Sequence, residues 1–163
     1  MVHRQNHPEE FKSDFGGNQG GQEPARPGFL LSQPSAIQTE QILRQVDYFQ
    51  AFNAQRMNKT HGLDFIQCFS LADIVNILEV CIASQEDLEK GNISHTCYLI
   101  DLFALSEWIQ KTLGDKELAV VIKSELGPKP SSNTIEEFMD ILKNHLKPVF
   151  CLTKERLEQC RGI

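Results

Sequence analysis

An all-α fold, a single bundle of five to six helices behind an N-terminal tail, is what this sequence predicts. Three observations carry that expectation. Apolar residues recur at threes and fours through most of residues 35–163. Each recurring segment has a capping residue before it and a Gly or Pro after it. Strand signals are almost absent, the exception being the "VVI" run at 120–122.

Residues 1–34 stand apart. "GGNQGGQEPARPG" is rich in Gly, Gln, Pro and charge and has too little apolar surface to offset the entropy of ordering. It ends in "GFLL". Phe29, Leu30 and Leu31 either pack onto the body as the chain enters it or form a docking motif for a partner. We take them as the partner-docking candidates.

The body, residues 35–163, reads as one helical domain. Ser35 with Gln38 has capping-box spacing, and Ile37, Ile42, Leu43, Val46, Phe49, Phe52 and Met57 fit one helical face up to a stop at Gly62. Ser70 with Asp73 starts a second helix through "LADIVNILEVCIA", ending by Gly91. The stretch "NISHTCYLIDLFALSEWIQ" (92–110) is apolar nearly all round, with a narrow polar strip at Asp101 and Glu107. Capped by Ser94 or Asn92 and stopped at Gly114, it reads as the central helix. Asp115 caps "KELAVVIKSEL" and Gly127 ends it. Thr134 with Glu137 opens "IEEFMDILKNHL", which Pro148 terminates, and Thr153 caps a short last helix ending at Gly162.

Composition narrows the function classes. The 163 residues carry a formal charge of −6, and that disfavours general binding to polyanions. No run approaches the roughly 20 apolar residues of a membrane span, and the N-terminus shows no secretory h-region. A cytoplasmic protein with reduced thiols and no membrane contact is expected. The five cysteines are widely and irregularly spaced, which is not a disulfide framework.

Catalytic and metal patterns are weak. His95 and Cys97 are two residues apart, which on a helix turns them about 200° from each other, away from a shared ligand. Cys97 near a helix N-terminus, with His95 or His61 as base, would be the only thiol-enzyme arrangement. Phosphate-cradling glycine motifs and the Glu-x-x-His spacing of a di-iron bundle are missing. No cofactor, no metal and no catalytic set are expected.

Charge is distributed unevenly. Residues 60–110 hold eight carboxylates against Lys90 alone. Residues 143–163 hold Lys143, Lys147, Lys154, Arg156 and Arg161 against two. The resulting expectation is a small helical adaptor or structural subunit acting by protein–protein contact, self-association included. The alternative is a subunit of a nucleoprotein complex that touches RNA or DNA phosphates through this basic surface.

Overall fold

The computed structural model describes residues 31–91 and 96–162. Among them are five α-helices and a three-stranded antiparallel sheet, so the fold is mixed and not all-α.

Helix α1 (Ala36–Leu43) begins as its capping box predicts. Ser35 Oγ accepts from the Gln38 N–H at 3.3 Å, and Gln38 Oε1 accepts from the Ser35 N–H at 2.9 Å. It stops at Arg44, where the backbone turns extended. The expected continuation to Gly62 does not form. A 3-10 turn (Tyr48–Gln50) leads instead into strands β1 (Phe52–Asn58) and β2 (Gly62–Cys68). Phe52 and Ala54 are buried while Asn53 and Gln55 are exposed, a period of two that the helical template absorbed. Asn58 Oδ1 accepts from the Thr60 N–H at 2.8 Å, an Asx turn. Gly62 then takes φ +79° as it pairs with Asn58, so it closes a hairpin and ends no helix.

Helix α2 (Leu71–Glu89) starts where expected, with Ser70 Oγ accepting from Asp73 N at 3.2 Å. The predicted central helix divides. Strand β3 (Thr96–Leu99) pairs with β1, giving the sheet order β2-β1-β3. Asp101, expected on the polar strip, is instead an N-cap, its Oδ1 accepting from Ala104 N at 3.1 Å. Helix α3 (Leu102–Trp108) follows and runs through a π turn (Ile109–Leu113) to Gly114, φ +72°. "TCYL" holds β-favouring residues ahead of a capping aspartate. The apolar run is therefore a strand followed by a helix.

Helix α4 (Lys116–Leu126) has its predicted Asp115 cap and Gly127 stop. Helix α5 (Ile135–Arg161) is one helix where two were expected, and Pro148 lies inside it. Thr153 caps nothing. Its hydroxyl donates to the Val149 carbonyl at 2.7 Å within the same helix.

The core lies between α2, α3, α4, α5 and the sheet, with Ile74, Leu78, Ile100, Leu105, Ile109, Leu118, Ile122 and Val149 fully enclosed. Trp108 ties the sheet to it. Its ring centroid is 5.9 Å from that of Phe52, and its Nε1–H donates to the Gln50 carbonyl at 2.7 Å. The two outer strands differ. Tyr98 N–H of β3 donates to Ser84 Oγ of α2 at 3.3 Å, so a helix lies against that side. Strand β2 is the other edge and has no hydrogen-bonded neighbour there among the described residues.

Candidate functional site

Strand alternation builds one candidate surface. The register pairs Gln55 with Phe65 and Leu99, and Met57 with Leu63 and Cys97, so these side chains share one sheet face. Opposite that face stand Phe103 of α3, the loop at 129–134, and Ile135, Phe138 and Ile141 on the first turns of α5. Between them runs an open, mainly apolar groove of about 400 Å³. Leu99 is buried, but three of the groove's apolar side chains stay open to solvent: Met57 is 45% exposed, Leu63 52% and Ile135 70%, with Phe65 beside them at 60%. One polar atom in the groove wall is unsatisfied. Glu137 Oε2 is buried and has no hydrogen-bond partner among the described residues.

A second cavity, about 430 Å³, lies at the far end of α5 and has a lining about evenly polar and apolar. It is built around Arg156, which is 1% exposed. Arg156 Nε lies 2.8 Å from Asp115 Oδ2 as an ion pair, though the N–H is poorly aligned with that oxygen. Its terminal nitrogens donate to Glu117 Oε2 at 2.6 Å, to the Ser32 carbonyl at 2.7 Å and to Gln159 Oε1 at 2.9 Å. Ser32 N–H and Oγ–H donate to the two Glu117 oxygens at 2.9 and 2.8 Å. Burial pushes the Glu117 carboxyl up, but the Ser32 and Arg156 hydrogen bonds outweigh it, and its net pKa is lowered. Glu117, Ser32, Gln159 and the terminal nitrogens of Arg156 satisfy one another across three segments. The network is a clasp that holds residues 31–33 to α4 and α5.

The sequence-predicted site residues divide. Leu31 is 4% exposed and packs in the core; Phe29 and Leu30 lie outside the described residues. Arg156 is the centre of the clasp and does not contribute to an exposed basic surface. Lys143, Lys147, Lys154 and Arg161 are exposed and fall within about 40° of arc along α5. Among the described residues, Lys147 is 3.2 Å from Glu86 on α2, and the Lys154 ammonium lies 5.7 Å from the Phe150 ring centroid. Cys97 is half-buried on β3, Ser94 and His95 lie outside the described residues, and His61 is exposed in the hairpin turn. Cys81 and Cys68 are core thiols pushed up by burial to about 12 and about 11.

The groove is not legible in the sequence because its floor is a sheet whose β1 and β3 runs fit a helical period, while the β2 run falls between two expected helices. The run "GLDFIQC" did carry a signal, since Leu63 and Phe65 alternate with Asp64. No group of three or more His, Cys, Asp or Glu among the described residues is placed to hold a metal, and no helix is long and apolar enough to cross a membrane. Comparison with protein-family models, curated proteins and solved structures found no match.

Proposed function

We propose that this chain is a protein-interaction module, a small adaptor or structural subunit that acts by contact and not through the tail motif alone. The observation that supports the reading is the apolar groove on the sheet face, with Met57, Leu63 and Ile135 left open on both sides of it. Water-exposed apolar side chains gathered in a concave strip are favoured to be covered, at about 25 cal/mol per Å².

The test is a photo-crosslinking residue placed at Ile135 in the full chain, used in the source cells. The expected result is a discrete polypeptide adduct that disappears with Met57→Ser and Leu63→Ser while the unfolding temperature holds. No adduct, or an adduct indifferent to both substitutions, would sink the reading. The nucleic-acid alternative has less support. Arg156 is enclosed, Lys147 is partly neutralised by Glu86, and the whole chain is acidic. Steeply salt-dependent RNA or DNA binding lost with Lys143→Glu and Lys154→Glu would restore it.

A further inference from the structure

We propose that a second copy of this chain pairs antiparallel along the free edge of β2, joining two three-stranded sheets into one of six strands about a two-fold axis at Phe65. The inference rests on the reading of this sheet face as a protein-binding surface, and names the partner.

An open strand edge offers a row of unpaired N–H and C=O groups. Folded proteins usually blunt it with Lys, Pro, a bulge or a covering element. Among the described residues β2 has no Lys, no Pro, no bulge and no element covering Leu63–Gln67, and Asp64 is its one charged residue. All seven residues of "GLDFIQC" pair with β1. On the opposite side of the sheet α2 lies against β3 and Ser84 meets its Tyr98 N–H. Among the described residues one edge is guarded and most of the other is not.

Self-pairing has few acceptable registers. A two-fold axis perpendicular to the sheet puts equivalent faces on the same side, so only residues of equal parity can face each other. Centring on Asp64 would set that carboxylate directly opposite its own copy, which like-charge repulsion disfavours. Asp64 is held ionised, because the hydrogen bond from Arg56 lowers its pKa. Centring on Phe65 avoids the clash and places Asp64 opposite Ile66. Phe65 is also the middle of the seven residues, so this register pairs Leu63–Gln67 evenly about the axis, while Cys68 at the strand end is 1% exposed and stays outside the pairing. On the open face Phe65 then meets Phe65 of the other copy, with Leu63 opposite Gln67. Cross-strand aromatic pairs are among the favourable ones.

The area sets the strength. Leu63 and Phe65, the open apolar side chains of β2, at their observed exposures leave on the order of 200 Å² of side chain per copy. A stable interface takes about 800 Å² per partner. The strand-edge hydrogen bonds add to that, but the dimer belongs at the weak, concentration-dependent end.

The test is sedimentation of the full chain from about 1 to about 500 µM. The mass should climb from 18.5 kDa toward twice that value. Phe65→Lys should hold it at the monomer with an unchanged circular dichroism spectrum. A second variant reads the register. In a Cys151→Ser background, Phe65→Cys should oxidise to a symmetric 65–65 disulfide. Leu63→Cys should not, because its two copies are four residues apart along the strands, about 13 Å. A chain that stays monomeric across the range overturns the proposal. So does a dimer that survives Phe65→Lys or fails to form the 65–65 link. The two readings fail separately. A monomer that still yields Ile135 adducts to another polypeptide removes self-pairing and leaves the interaction module. A β2 dimer with no adduct at Ile135 keeps the pairing and removes the groove as a partner site.

Discussion

Arg156 decides most at the scale of single residues. It is enclosed with Asp115, whose other oxygen caps α4 by accepting from Leu118 N at 3.0 Å. Removing the guanidinium strands a buried carboxylate. Arg156→Met should therefore lower stability by about 3–5 kcal/mol in urea titrations, the range for breaking one side of a buried pair. A loss under about 1 kcal/mol would mean that water takes the place of the side chain. Glu117 gives the network a pH dependence. Its pKa is lower in the folded chain than the usual carboxylate value of about 4.5. Between the two values the unfolded chain holds more protons, so folding stability rises with pH there. The contribution is complete above about pH 4.5 and disappears as pH falls through the folded value. Glu117→Gln should flatten the acid limb of a stability–pH curve without changing its neutral plateau in shape; an identical limb would place the acid sensitivity elsewhere. The thiols follow burial in the same way. Iodoacetamide at pH 8 should reach exposed Cys151 readily and Cys68 and Cys81 only on unfolding, which peptide mapping would read.

Elements were legible in the sequence wherever the start and stop signals lay on the backbone itself. Ser35, Ser70, Asp115 and Thr134 each cap a helix by accepting the N–H three residues on. The strands were not legible. Short runs such as "FNAQRMN" and "TCYL" contain too few residues to separate a period of two from one of 3.6. The pairing that stabilises them is supplied by residues elsewhere in the chain. Pro148 was misread for a related reason. Its ring removes one backbone bond, the one that Asn144 O would accept, and Asn144 is exposed. Burial of Leu142, Leu146, Val149 and Leu157 along the same helix outweighs that loss. Pro148→Ala should therefore stabilise the chain, by about 1–3 kcal/mol. A destabilisation would show that the proline shapes a bend the packing needs. Gly114 is the opposite case. Its φ is +72°, and an added Cβ would come within 2.6 Å of the Gln41 side chain. Gly114→Ala should cost about 1–2 kcal/mol, part backbone strain and part displacement of Gln41.

The whole molecule is organised along α5. Its N-terminal turns form one wall of the groove, its middle packs on α2 and α4, and its last turns hold the Arg156 clasp that fixes residues 31–33. A short, separate C-terminal helix, as the sequence alone suggested, would be dispensable. One continuous helix is not. Val149, Thr153, Arg156, Leu157 and Cys160 are all buried beyond Pro148, and each faces residues from earlier in the chain or its own helix core. Ending the chain at Lys147 should remove that half of the contact surface, expose Leu118 and Ile122 of α4, and release Leu31. The truncated chain should lose cooperative unfolding altogether and bind an apolar dye, the behaviour of a compact state without fixed packing. In the full chain, amides of α2, α4 and the second half of α5 should exchange with deuterium in one cooperative step. If residues 149–160 exchange well before α2, the end of α5 is an appendage, and the clasp acts locally without holding the fold together.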